Sequence, residues 1–226
     1  MFYIRGVKIS HLSTRRGLAT IAAVLLLGLL SGIEVSSANI AVAPIFSDNA
    51  VLQQGMLVPV FGTAPAGTEV TVTFGNAPCE GNQCTVTADS SNKWRVNLDT
   101  SSYTSSDSDY MTITDGTETI TLEGLQVGEV WVCSGQSNML FKLSNAEGGA
   151  VAVDEAGTHN IRLFLIPSTG GPDGVTWQVS DSTTAGNFSA VCYFFGRELA
   201  QHLARLIVPV RKHRAIETLF EQSIRV

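Results

Sequence analysis

The chain has 226 residues, enough for one or two domains and a real core. With 44% hydrophobic and 15% charged residues it is globular and not disordered. Its formal charge is −6; without residues 1–38, which carry Arg5, Lys8, Arg15 and Arg16 against Glu34, the charge becomes −9. Such a body repels phosphate backbones, so no nucleic-acid partner is expected.

Basic residues at the amino terminus precede an uncharged stretch from Gly17 to Ile33, and Ser36-Ser37-Ala38 offers small residues before Asn39. This order predicts a signal peptide over residues 1–38 and a protein sent into the secretory pathway, extracellular or lysosomal. A buried helix is a poor alternative, because a stretch apolar on every side has no solvent face. The competing reading is an uncleaved signal anchor over residues 17–33, the only way a membrane would enter.

From Ile40 to Gln126 the chain reads as about seven short strands between turns, an all-β sandwich module over residues 39–127. Residues 68–74 alternate polar and apolar, as a half-buried strand does, and residues 84–88, 94–98, 110–114 and 117–122 repeat the habit. Asp115-Gly116 is a two-residue hairpin signal. Trp94 and Phe74 are expected in the core rather than on a sugar-binding face. Cys79 and Cys84 flank four residues at a hairpin tip and invite a small disulfide loop. Cys133 and Cys192, in an apolar strand and an apolar helix, are expected to be buried free thiols.

Near Gly128 the pattern changes to strand, loop and helix. Parallel strands are expected at Val130–Cys133 and Ile161–Ile166, and a Gly- and Ser-rich loop over residues 167–187 leads to a helix over 189–206. Apolar residues at 191, 195, 199, 203 and 206 are expected to bury one face of that helix. Two parallel strands and one helix would leave apolar faces uncovered, which predicts aggregation or low expression. Asn187-Phe188-Ser189 is a glycosylation sequon, usable in a secreted protein with the site exposed.

Gly135-Gln136-Ser137-Asn138-Met139 follows directly on the strand ending at Cys133. Ser134 and Gly135 let the backbone turn, and Ser137 falls at the carboxyl end of the strand, where open α/β sheets present reactive groups. A serine raised on such a turn is a candidate nucleophile, with its own N–H facing the oxyanion. A serine serving only the turn is the plainer alternative.

Residues 128–139, Gly-Glu-Val-Trp-Val-Cys-Ser-Gly-Gln-Ser-Asn-Met, resemble the first motif block of the sialate O-acetylesterases, serine esterases of the SGNH hydrolase superfamily. The resemblance extends to residues 45–48, 51–54 and 58–62 upstream, and to residues 160–164, 188–191 and 193–199 downstream. It implies an all-β sandwich module followed by the start of an α/β flavodoxin-like domain, Ser137 as nucleophile, and an acetylated carbohydrate as substrate. It implies no metal and no organic cofactor.

A serine needs an imidazole, itself held by a carboxylate. The family supplies both from an Asp-x-x-His motif far downstream, and that spacing occurs nowhere in this chain. His11 lies in the presequence, His159 precedes the second strand at its amino end, and His202 lies far along the helix; His213, in the basic tail, remains a candidate. The expected organisation is a partial SGNH domain over residues 128–210 and a divergent basic tail over 211–226. The chain thus reads as the amino-terminal piece of a carbohydrate O-acetylesterase, truncated and inactive or nearly so by itself. The alternative is a carbohydrate-binding or interaction module without catalysis.

Overall fold

The computed structural model describes residues 39–103, 110–167, 171–203 and 207–212. The presequence, with His11, and the tail beyond Lys212, with His213, lie outside the described residues. So do residues 204–206, into which the expected last helix ran.

Short strands separated by glycine and asparagine turns build the first part: β1 (Ala41–Val42), β2 (Val51–Gln53), β3 (Leu57–Thr63), β4 (Glu69–Phe74), β5 (Thr85–Thr87), β6 (Lys93–Asp99), β7 (Met111–Thr114) and β8 (Thr119–Leu122). Seven of them form two antiparallel sheets, ordered β1-β3-β6 and β5-β4-β7-β8. Alternation along each strand sends every second side chain inward. Trp94, Val96 and Leu98 from β6 and Val70, Val72 and Phe74 from β4 therefore meet in one buried cluster. Gly62 of β3 lies where Trp94 and the Ala41 carbonyl press closest; a Cβ there would overlap both.

Two turns differ in detail from expectation or sharpen it. The β7–β8 loop has four residues, not two, because Thr114 pairs with Thr119. The Asp115 carboxylate accepts the N–H groups of Thr117 (2.8 Å) and Glu118 (2.7 Å), which turns the chain over that longer span. Cys79 and Cys84 are bonded around the single 3-10 turn Glu80–Asn82.

The second part is a five-stranded sheet ordered β11-β10-β12-β9-β2, with β9 (Gln126–Ser134), β10 (Arg162–Leu165), β11 (Gln178–Val179) and β12 (Ile207–Lys212). All pairs in it are parallel except β10–β11. The sheet is thus larger than the two parallel strands expected. Strand β2, which falls inside the 39–127 segment, pairs instead with β9, Val51 opposite Gln126. Arg211 and Lys212, expected in the tail, continue β12 opposite Cys133 and Ser134.

The two faces of this sheet meet different neighbours. Leu163 of β10 joins a cluster with Leu143, Phe188, Cys192 and Tyr193, built from α1 (Gly149–Asp154), α2 (Ala190–Leu203) and the turns around them. Phe164 and Ile166 instead join the cluster of the antiparallel sheets, where Phe164 packs on Trp177 at 4.9 Å between ring centroids. An apolar groove of about 360 Å³ remains on this side, lined by Val130, Val132, Met56 and Trp177 among others.

Helix α2 lies rotated from its expected setting. Its buried residues are Ala190, Cys192, Tyr193 and Gly196, while Val191 (49%) and Phe195 (41%) are exposed. The run Ala190–Phe195 is apolar all round, so periodicity alone does not choose between the two adjacent rows. Contacts choose: the Tyr193 hydroxyl reaches the Ala152 carbonyl, and Cys192 is bonded to Cys133. Of the aromatic triplet, Tyr193 is core, Phe194 is half-buried and Phe195 lies outside against Trp131.

Candidate active site

Strand β9 is held on both sides before it reaches Ser137. Strand β2 ends at Gln53, one residue short of what β9 needs, and the Gln53 side chain supplies the missing rung. Its Oε1 accepts the Val130 N–H at 2.8 Å. Its Nε2 donates to Glu129 at 3.3 Å, and the Gln54 amide donates to the other oxygen of the same carboxylate. Thr100, buried, donates to the Gln53 or Met56 carbonyl and so fixes the end of β2. These residues are polar inside a largely apolar seam, and each partly buried group has a partner, as burial requires.

Beyond Ser134 the chain leaves the sheet. Gly135 is the pivot; Gln136 is extended (φ −93°, ψ −150°), and a single 3-10 turn runs from Ser137 to Leu140. Ser137 is its first residue and is exposed. Among the described residues its hydroxyl has no hydrogen-bond partner. The Met139 N–H closes the turn on the Gln136 carbonyl at 3.0 Å, and the Phe141 N–H closes on Asn138 at 3.2 Å. The N–H groups of Ser137 and Asn138, at the start of the turn, have no partner among the described residues. A serine oxygen with two free amides beside it is an arrangement suited to an oxyanion formed at that oxygen's target.

The far end of the turn is sewn to the start of α2. Lys142 bridges to Ser189, the Ala190 N–H donates to the Phe141 carbonyl at 2.8 Å, and the Leu143 N–H donates to the Phe188 carbonyl at 2.9 Å. Ser189 caps the helix, its hydroxyl accepting the Cys192 N–H at 3.4 Å.

The described histidines stand away from Ser137. His159 follows the 3-10 turn Ala156–Thr158 and precedes β10, at the amino end of a strand parallel to the sheet. His202 is exposed, its Nδ1 bonded to the Glu198 carbonyl one turn back. Twelve helical steps separate it from Ala190, roughly 18 Å at ~1.5 Å per residue. No group of three or more His, Cys, Asp or Glu able to hold a metal occurs among the described residues. Trp94 and Phe74 are buried, at 2% and 0% exposure, and offer no aromatic platform for a sugar.

The free-thiol expectation is overturned. Cys133 and Cys192 form a disulfide with Cα atoms 5.9 Å apart, joining β9 to α2. Sequence spacing could not reveal it, because the partners are 59 residues apart and meet only once α2 lies on the sheet. The Gln53–Gln54–Glu129 clamp was visible only as matching letters; its role depends on where β2 stops.

No protein-family model matches the chain. The sialate O-acetylesterase of Mus musculus is 33% identical over 161 residues, covering 62% of this chain and 29% of that protein. The Rattus norvegicus sialate O-acetylesterase is 32% identical over the same span and coverage. The chain therefore spans under a third of the length of the curated relatives it matches. Among solved structures, a carbohydrate acetylesterase from Xanthomonas citri superposes with a TM-score of 0.69 at 27% identity, over 79% of this chain and 42% of that one. Over the part of those proteins that it spans, the chain is similar to sialate O-acetylesterases and, in fold, to a carbohydrate acetylesterase.

Proposed function

We propose that this chain is the nucleophile-bearing part of a carbohydrate O-acetylesterase, with Ser137 attacking the acetyl carbonyl of an acetylated sugar. The observation that carries this reading is the position of Ser137: exposed, at the carboxyl end of β9, at the start of a turn whose first two amides have no partner among the described residues. The Ser137 oxygen would bond to the acetyl carbon while its proton passes to a base. The Ser137 and Asn138 amides would face the resulting oxyanion, and the sugar oxygen would leave with a proton. Water would then release acetate. The described histidines stand away from Ser137 and no Asp-x-x-His spacing occurs in the chain, which supports a base supplied from elsewhere and little activity of the chain alone. The two antiparallel sheets are read as a sandwich that packs on the catalytic sheet. The apolar stretch 17–33 and the two disulfides support export through the secretory pathway.

Grafting residues 39–212 in place of the matching region of a sialate O-acetylesterase tests the function. The chimera should hydrolyse acetyl esters, and Ser137→Ala in it should remove at least about a thousandfold of the rate. A chimera whose activity survives Ser137→Ala would refute the assignment. Separately, a fluorophosphonate probe should leave the isolated chain unlabelled at Ser137; rapid labelling would show that it holds its own base.

A further inference from the structure

The segment from Ser134 to Phe141 is short, carries Ser137, and has no buried side chain within its 3-10 turn. A single 3-10 turn is not stable by itself, so something outside it must fix its place. Its rear end is held to the start of α2 by the Ala190–Phe141 and Leu143–Phe188 hydrogen bonds and by the Lys142–Ser189 bridge. Its front end is β9, and the last strand residue but one is Cys133. Cys133 is bonded to Cys192, the third residue of the same helix. Both ends of the Ser137 turn are therefore fastened to one rigid element within its first turn, and Cys192, Tyr193 and Ser189 there are fully buried.

We infer that the Cys133–Cys192 disulfide is a positioning element for Ser137: it closes the ring that sets the nucleophile turn against α2. The inference rests on the reading of Ser137 as nucleophile for its functional meaning. Its mechanical content stands without that reading. Strand β12 pairs with β9 as far as Ser134 but holds it within the sheet, and the Gln53–Glu129 clamp and the β2 ladder hold it farther from the turn. On the face of β9 nearest the turn, the covalent bond and the Trp131–Phe195 edge contact (5.3 Å) are what tie the strand to the helix. Phe195 is 41% exposed, so the aromatic contact is the weaker of the two.

The test uses the full chain, purified without reductant. Peptide mapping should recover Cys133 and Cys192 in one linked pair; alkylation of both in the unreduced protein would overturn the proposal. Amide hydrogen exchange is then compared between the wild type and the Cys133→Ala/Cys192→Ala variant. The Met139, Phe141 and Ala190 amides, all hydrogen-bonded in and behind the turn, should exchange at least about tenfold faster in the variant. The Val72 amide of β4, bonded to the Cys84 carbonyl, should stay as protected as before. Unchanged exchange at Met139 and Phe141 would refute positioning. Equal acceleration in the turn and in β4 would also refute it, since the bond would then serve general stability alone. Neither readout requires ester hydrolysis, so a failed chimera and a failed positioning role remain distinct results.

Discussion

Replacing Gln53 by Glu probes the seam between β2 and β9 with almost no change of shape. In the wild type the Gln53 Nε2 donates to Glu129 at 3.3 Å while its Oε1 accepts the Val130 N–H. The variant keeps an oxygen for Val130 but sets a second carboxylate against Glu129. At that separation two unit charges repel by about 5 kcal/mol at an effective dielectric constant of ~20, and by about 1 kcal/mol in bulk water. Both groups are partly buried, so the destabilisation at pH 7 should lie between these limits, about 2–3 kcal/mol with the lost hydrogen bond included. Urea unfolding of wild type and Gln53→Glu at pH 7 and pH 4.5 measures it. The sign follows from linkage: crowding raises the proton affinity of one carboxyl of the pair in the folded variant. The folded variant then binds a proton more readily than the unfolded chain, so its deficit shrinks as pH falls. Added salt should shrink it too, by screening. A variant as stable as wild type at pH 7, or a deficit that does not change with pH, would refute the clamp.

Thr100→Val deletes the hydroxyl that donates to the Gln53 or Met56 carbonyl and takes a donor from a partly buried acceptor, so thermal melting should show a loss of about 1–3 kcal/mol, or roughly 2–4 °C per kcal/mol. Phe188→Ala opens a cavity beside Leu143 and Tyr193 at the root of α2, and denaturant unfolding should register about 3–5 kcal/mol. The Asp181 carboxyl is held down to about 2 by the Thr183 hydroxyl and by the Thr184 and Thr183 amides. Its contribution is present above the ordinary carboxylate range and is lost as pH falls from about 4 toward 2, so Asp181→Asn should flatten that part of the stability profile measured by acid titration. Gly149→Ala should give little folded protein on a soluble-yield assay, since its Cβ would overlap the Leu143 carbonyl oxygen, part of the backbone behind the Ser137 turn.

Local chemistry carried most of the strand positions into the sequence. Residues 69–74 and 93–99 alternate strictly, and a half-buried strand is the arrangement that satisfies such alternation. The place of Ser137 just beyond the end of β9 was legible for a related reason: an apolar strand, a glycine pivot and a polar turn follow one another without interruption. What stayed hidden involves partners far apart in sequence. Nothing in Val51-Leu52-Gln53 says that it pairs with Gln126–Gly128 rather than with its nearer neighbours. The rotation of α2 was hidden because Ala190–Phe195 is apolar on every side, and only the Cys133 bond and Tyr193 contact select the buried row. The β7–β8 loop was misjudged because Asp-Gly in it does not sit at the pair of central positions; Asp115 instead caps a wider turn.

Strand β2 also sets a timing problem during synthesis. Its partner β9 lies 75 residues later, Val51 pairing with Gln126. At ribosomal rates of about 5–20 residues per second, that interval is roughly 4–15 s. Through it Val51 and Leu52, buried in the finished protein, leave the ribosome with no rung to join. The antiparallel β3–β6 pair can close in the meantime, so β2 is carried as a loose apolar flap beside structure already formed. The distant pairing also means that neither a fragment ending at Val127 nor one starting at Gly128 holds both halves of the seam.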